Sequence, residues 1–453
     1  MSTSTRAATA AIERLMALHP KGYDLSLDRV SRLLDRLGRP HEHMPPVIHI
    51  AGTNGKGSAA AFSRALLEAS GRLCHVHTSP HLVNWHERFR LAAEDGGRLV
   101  DDAVLAEAIE RVAEANQGAT ITVFEILTAA MFVLFSEHPA DAAIVEVGLG
   151  GRFDATNVMA KPAASLIMPV SLDHEALLGD RVELIAAEKA GIIKPGCPVV
   201  VGAQEHDAAR EVLIDTAARL GCPLFVYGQD FIAFEERGRL VYQDEDGLFD
   251  LPLPRLPGRH QYANAAAAIA AVKAAGFPVG QRTAERAMAR VDWPGRMQRL
   301  PEGGQAGGQA GALAGLAPKG AEIWIDGGHN PGAGAVVAEA LANEEDRRPL
   351  PLIMIAGMIN TKDQTGYFRN FAGMVRHVFT VPVNDSDAGV PNDELAARAA
   401  EAGLSAEPVA AVENALMVLR DGWDSASPPP RIVICGSLYL IGEVLRKNGT
   451  PPA

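Results

Sequence analysis

The sequence predicts a two-domain α/β protein. An N-terminal domain, residues 1–295, is expected on a mostly parallel, doubly wound sheet, followed by a smaller α/β domain over residues 296–453. Three observations carry this. At 453 residues the chain exceeds what one hydrophobic core usually serves. Short apolar runs alternate with helical patterns along most of it. One such run ends in Gly52-Thr53-Asn54-Gly55-Lys56-Gly57-Ser58 and leads into a helical pattern. In a strand, glycine turn, helix layout, backbone N–H groups and the helix N-terminus face an anion, and a lysine adds a point charge. The usual phosphate loop puts Lys directly before Ser or Thr. Here Gly57 intervenes, so the loop is a variant.

The elements follow in order. Residues 24–37 read as an amphipathic helix, with Val30, Leu33, Leu34 and Leu37 at helical spacing and Gly38 and Pro40 as stop signals. A strand at 47–51, the glycine loop and a helix over 59–70 come next. A second strand, 73–77, runs into Thr78-Ser79-Pro80-His81. Residues 122–135 are expected to be helical, with Phe124, Leu127, Met131 and Leu134 on one side. Residues 142–147 form an apolar strand ending in Gly148-Leu149-Gly150-Gly151, and 164–170 and 198–201 are further buried strands. Alternating stretches around Arg237-Gly238-Arg239 and Asp246-Gly247 predict antiparallel hairpins over 227–251. A helix resumes near Gln261. Trp293-Pro294-Gly295-Arg296 begins a hinge, and residues 301–320, rich in Gly, Ala and Gln, are expected to form a mobile loop. Strands near 322–325, 352–355, 377–381 and 431–434 then alternate with helices as the second domain.

Composition narrows the function. Apolar residues make up 47% and charged residues 21%, as in ordinary globular proteins. The formal net charge of −13 disfavours nucleic acid, whose phosphates need a basic face, but not a small anion in a local pocket. The four cysteines, Cys74, Cys197, Cys222 and Cys435, show no CxxC spacing and suggest buried reduced thiols. No signal-peptide core and no run of membrane-spanning length is present, so a cytoplasmic protein with no membrane partner is expected.

Polar residues recur where strands should end, the edge at which open α/β sheets bind ligands. Glu146 closes its strand. It is either a solvated strand-end acid or a hard oxygen ligand for Mg²⁺ beside nucleotide phosphates. His174, in Leu172-Asp173-His174, becomes a metal-ligand candidate when taken with Glu146 and Ser79. Lys189, from spacing alone, reads as a solvated helix lysine. His75 and His77 alternate in a strand with no third metal ligand evident. Asp326, in Asp326-Gly327-Gly328-His329-Asn330-Pro331, can accept from ribose or adenine, and His329 can contact nucleotide; the alternative is a tight turn and helix cap. Arg296 can reach a phosphate or form an interdomain ion pair.

These motifs, in this order, resemble dihydrofolate synthase/folylpolyglutamate synthase, within the Mur ligase superfamily. The glycine loop, Thr78-Ser79-Pro80-His81, Phe124-Glu125, the stretch from Glu146 through Asp154-Ala155-Thr156-Asn157, Leu172-Asp173-His174, residues 188–194, 260–264 and 293–296, Asp326-Gly327-Gly328-His329-Asn330 and Gly436-Ser437-Leu438-Tyr439-Leu440 all take part. The resemblance implies a Mur-ligase-like first domain and a Rossmann-like second one. It implies an ATP-dependent ligase joining L-glutamate to dihydropteroate or to folates. By the same resemblance, Asn54, Gly55, Lys56, Gly57 and Ser58 hold ATP phosphates, with Asn264, Arg296 and Asp326 as further nucleotide contacts. Ser79, Glu146 and His174 hold Mg²⁺, with two ions expected. Lys189 matches a lysine that is carbamylated in the family, which reverses the reading from spacing. Lys56, Lys189 and His329 are the expected catalytic residues. Asp24, Leu25, Ser26, Phe124, Glu125, Phe153, Asp154 and Ala155 match the pterin-holding segments. The family is mostly monomeric. Gly328 stands where the family commonly has Ala. A peptidoglycan Mur ligase is disfavoured, since its UDP-sugar domain would precede the loop and only 51 residues do so here.

Overall fold

Apolar segments too short for helices build the central sheet. In the computed structural model, which describes residues 5–19, 26–301 and 311–453, the first of them is Val47–Ala51 (β1), buried along its whole length. It is followed by Cys74–His77 (β2), Phe89–Leu91 (β3), Arg98–Leu99 (β4), Ala142–Glu146 (β5), Ala164–Ile167 (β6), Val199–Val201 (β7) and Leu224–Val226 (β8). They form one eight-stranded sheet in the order β4-β3-β2-β5-β1-β6-β7-β8. From β2 to β8 every pairing is parallel, while β3 and β4 pair antiparallel at one edge. Strands buried on both faces read as unbroken apolar runs, which is why they were visible in the sequence.

Phe231–Glu236 (β9), Arg239–Asp244 (β10) and Gly247–Pro252 (β11) form a separate antiparallel sheet. Arg237 and Gly238 both have positive φ, 52° and 76°, as a two-residue hairpin turn requires. The last sheet takes Gln298–Arg299 (β12), Glu322–Asp326 (β13), Leu352–Ala356 (β14), His377–Thr380 (β15), Ala406–Pro408 (β16) and Arg431–Cys435 (β17), in the order β12-β13-β17-β14-β15-β16. Only β12 runs antiparallel to its neighbour.

Two compact units result. The first comprises Met1–Arg255, Gln261–Val291 and Ala453; the second comprises Leu256–His260 and Asp292–Pro452. The sequence placed the change at 295/296. It falls at 291/292, and the short excursion 256–260 carries no local signal.

Four further expectations change. The helix expected over 24–37 is Asp28–Arg36, with the Ser26 hydroxyl accepting the Asp28 N–H at 3.1 Å. The helix after the glycine loop starts at Lys56 rather than residue 59. The helix Val123–Glu137 is buried from Glu125 through Phe135, not on one side only, because helices pack around it as well as the sheet. The described part of the glycine-rich segment, 311–320, is packed rather than loose. Leu313 is buried, Ala314–Leu316 makes a turn of 3-10 helix, and Asn448 accepts the N–H groups of Gly311 and Leu313. The rest of that segment, 302–310, lies outside the described residues.

Candidate active site

The site begins where β1 stops. Gly52 takes φ 154°, and a Cβ there would lie 2.6 Å from the Cβ of Met168, so the turn tolerates only hydrogen at this position. Gly55 is the N-cap of the helix Lys56–Ala69, in the left-handed region at φ 82°. It has no side chain to cap the first amide groups, an arrangement that suits an anion. The turn is pinned to the chain leaving β6: Thr53 N–H donates to Pro169 O at 2.8 Å, the Thr53 hydroxyl donates to Ser171 O, and Ser171 N–H donates back to the Thr53 hydroxyl.

Lysine nitrogens concentrate charge at this turn. Lys56 Nζ donates to the carbonyls of Gly52 and Thr53 at 3.0 and 3.1 Å. Lys189, at the end of the helix Val182–Lys189, donates to the same Gly52 carbonyl at 3.0 Å. It is 4% exposed, not the solvated lysine its spacing suggested. Burial first, and the charge of Lys56 second, lower its pKa to about 7. An anion with several oxygens suits this arrangement, since it supplies negative charge to two crowded amino groups.

Glu146 lies at the same sheet edge, opposite Ile50 in register and buried. The Ser79 N–H donates to its Oε2 at 3.2 Å, so β2 and β5 bring these two residues together. His174 takes a left-handed conformation, φ 53°, and its backbone N–H is held by the Asp173 carboxylate at 2.8 Å. Its side chain is more than a third exposed. Among the described residues no three His, Cys, Asp or Glu side chains cluster as a metal site. His75 and His77 do not form one: His75 Nε2 meets the His138 carbonyl and His77 Nδ1 the Arg88 carbonyl.

Ser58 is buried on the first turn of its helix, and the Gln261 amide reaches its hydroxyl at 3.5 Å. Gln261 Oε1 accepts from Asn264 Nδ2 at 3.0 Å, and a Cβ on Gly55 would meet Asn264 Oδ1 at 2.9 Å. The glutamine was missed as a site residue; its signal was spacing, one helical turn before Asn264.

Of the pterin-matching residues, Asp24 and Leu25 lie outside the described residues. Phe124 packs so closely on Gly148 that a Cβ there would lie 2.4 Å from its ring. Glu125 completes a capping box with Thr122 and accepts from Arg29 Nε at 3.0 and 3.1 Å. Arg29 was missed because an arginine on an amphipathic helix ordinarily reads as solvated. Asp154 is buried, and its oxygens accept from the N–H groups of Leu149 and Thr156 and from the Thr156 hydroxyl. Burial raises its pKa against those bonds. Ala155 is buried and Phe153 is 42% exposed.

In the second unit, Asp326 ends β13, buried, with Met297 N–H and Gly328 N–H donating to its two oxygens at 2.8 and 2.7 Å. Burial raises its pKa, and Arg296 opposes that. His329 Nδ1 lies 2.9 Å from Gly327 O, and Asn330 caps the helix Pro331–Arg347 by accepting from Ala333 N–H at 2.8 Å. A Cβ on Gly328 would lie 2.9 Å from Asp326 Oδ1, so glycine in place of alanine eases this turn.

No protein-family profile matches the chain. The dihydrofolate synthase/folylpolyglutamate synthase of Mycobacterium tuberculosis is 34% identical over 468 residues, covering 95% of this chain and 91% of that protein. The solved Mycobacterium tuberculosis folylpolyglutamate synthase complexed with ADP superposes with a TM-score of 0.85 at 28% identity, over 99% of this chain and 100% of that one. A bifunctional folylpolyglutamate synthase/dihydrofolate synthase with Mn, AMPPNP and L-glutamate bound gives 0.81 at 27% identity, over 97% of each chain. With the variant phosphate loop, the strand-end acid and the three-sheet architecture already in hand, these likenesses show that the chain belongs to the dihydrofolate synthase/folylpolyglutamate synthase family of ATP-dependent ligases.

Proposed function

We propose that this ligase transfers the γ-phosphoryl group of ATP to the carboxylate of dihydropteroate or of a folate, and that the amine of L-glutamate then displaces phosphate to form the amide. A carboxylate resists attack because it is negative and has no leaving group; phosphorylation removes both obstacles. The observation that carries this reading is the convergence of Lys56 and Lys189 on the Gly52 carbonyl beneath a helix N-terminus. That arrangement suits the spread charge of a phosphoryl group in flight. Asn54, Gly55, Gly57 and Ser58 present backbone and hydroxyl donors to the phosphates. Gln261 orients Ser58 and Asn264. Arg296, Asp326 and His329 are proposed as further nucleotide contacts.

The donor set fits a hard divalent ion: a buried carboxylate, Glu146, joined to Ser79, with His174 as a third candidate and phosphate and water completing the shell. When bound, Mg²⁺ screens charge between the phosphates and the substrate carboxylate. Two ions are proposed. Lys189, buried and with its pKa near 7, has the neutral amine that adds to CO2 to give an N-carboxylate. That reaction turns a crowded cation into an anionic oxygen donor for the second ion.

Phe124 and the loop around Asp154 are proposed to shape the pterin site, with Ser26, Phe153 and Ala155 beside them and Asp24 and Leu25 on the adjoining segment. Glu125 and Asp154 act chiefly by holding backbone in place, since their oxygens are taken by Arg29, Thr122, Leu149 and Thr156. No helix among the described residues is long and apolar enough to cross a membrane; a cytoplasmic monomer is proposed. A side-by-side assay with dihydropteroate and a reduced folate monoglutamate tests the reading. ADP release that depends on glutamate and on either acceptor supports it. ADP release independent of both would overturn it and point to a nucleotide-binding protein without ligase chemistry.

A further inference from the structure

We infer that Cys197 and Cys222 form a reversible intramolecular disulfide, a modification site at the sheet edge opposite the phosphate loop. Spacing alone does not reveal the pair, since 24 residues separate the two. Register supplies the proximity. In the β7–β8 pair, Val199 lies opposite Leu224. The same register continues toward the N-terminal side of both strands: Val199 N–H donates to Pro223 O at 2.8 Å, and Gly196 N–H donates to Leu220 O at 3.1 Å. Cys197 therefore stands directly across from Cys222. Neighbouring parallel positions lie about 4.8 Å apart, inside the Cα separation that a disulfide spans.

The side chain agrees with the backbone. Cys222 Sγ donates to Lys194 O at 3.3 Å, and Cys197 N–H donates to the same oxygen at 3.1 Å. The sulfur of one cysteine and the backbone of the other thus share one acceptor. Cys197 is also close enough to Cys222 for that thiol's charge to raise its pKa, after the larger effect of burial. Cys74 and Cys435 are buried on other strands, β2 and β17, and have no such partner register.

The chemistry needs an oxidant, and a small-molecule disulfide such as oxidised glutathione suffices. Cys222 is the more exposed thiol. As thiolate it attacks one glutathione sulfur, forming a mixed disulfide and releasing one glutathione thiolate. Cys197, deprotonated, attacks the Cys222 sulfur and expels the second. Two protein thiols lose two protons and two electrons, and one glutathione disulfide becomes two thiols. The product ties the turn before β7 to the turn before β8, closing a loop around the helix Asp207–Arg219.

Peptide mapping of the folded enzyme after oxidised glutathione, with free thiols alkylated before digestion, tests this. Linked Cys197 and Cys222 peptides, restored to thiols by dithiothreitol, are expected, together with a higher melting temperature for the oxidised enzyme. Cys197→Ser should stop the reaction at a stable glutathione adduct on Cys222. Both residues remaining thiols, Cys222 keeping its adduct while Cys197 is present, or an oxidised form that melts no higher than the reduced one would each overturn the inference. The wild-type mapping decides even if the variant fails to fold.

Discussion

The two units each close a central strand with glycines and a polar residue, yet the two turns carry opposite charge. After β1, Lys56 and Lys189 crowd one carbonyl oxygen and a helix N-terminus opens above them. After β13, a buried carboxylate, Asp326, is held by two backbone N–H groups with Arg296 near it. The first turn suits an anion, whose charge would relieve the crowding of its two amino groups. The second holds its carboxylate in place with backbone bonds and offers a rigid acceptor. The same strand-to-helix geometry therefore suits an anion in one place and a hydrogen-bond donor in the other. Side-chain chemistry, not topology, makes the distinction.

Removing the charge from the first turn should have the largest effect. Lys56→Ala is expected to lower turnover by about 10³-fold, the scale of a lost transition-state cation. The melting temperature should hold or rise, because a cation crowding Lys189 is gone; a variant with full turnover would erase the contrast between the turns. Lys189→Met should cost about 10²-fold, and its role carries a pH signature. The depressed pKa means the native amine is neutral above about pH 7. Activation by added bicarbonate should therefore be strong at pH 8 and weak at pH 6 in the wild type, and absent from the variant. The sign for stability is separate. In CO2-free buffer the unfolded lysine keeps its proton up to its ordinary pKa of 10.5, while the native one loses it near 7. Stability should then rise with pH across that interval in the wild type but not in Lys189→Met, as denaturant midpoints would reveal.

In the second turn the expected loss is structural as well as functional. Asp326→Ala leaves the Met297 and Gly328 N–H groups without their acceptor, at a cost of about 2 kcal/mol in unfolding free energy. The KM for ATP should rise more than kcat falls. An unchanged KM would remove Asp326 from the nucleotide site and leave it a turn-former. Smallest of all, Glu125→Gln should keep the capping box and lose the charge-assisted bonds from Arg29, about 1 kcal/mol by chemical denaturation. It should leave ADP affinity untouched; a weakened nucleotide would mean that the helix Val123–Glu137 supports the phosphate turn as well.

Much of this is legible in the sequence alone. Parallel strands such as β5 and β14 announce themselves as apolar runs, and the loop 52–58 announces its chemistry through glycine and lysine. Edge elements were harder: β3 and β4 are short and mixed in character, and β4, at the edge, pairs only with β3. Glycine misled at 311–320, where composition suggested looseness but Asn448, distant in sequence, supplies the hydrogen bonds that fix the turn. Lys189 is the plainest case in the site. Its helix position gives no sign of burial; only the folded sheet brings it within 3.0 Å of Gly52 O, a contact between residues 137 apart. Local spacing cannot report such a contact, and the family resemblance identified the lysine by motif instead. Arg29 and Gln261 were passed over for the same reason, since each acquires its role from a partner on another element.

The most direct measurement is an equilibrium titration of ADP and Mg²⁺ into the wild type and into folded Lys56→Ala, followed calorimetrically. Affinity should fall by at least about tenfold in the variant, the scale of one charge-assisted phosphate contact. Equal affinity in the two proteins would contradict a phosphate site at residues 52–58.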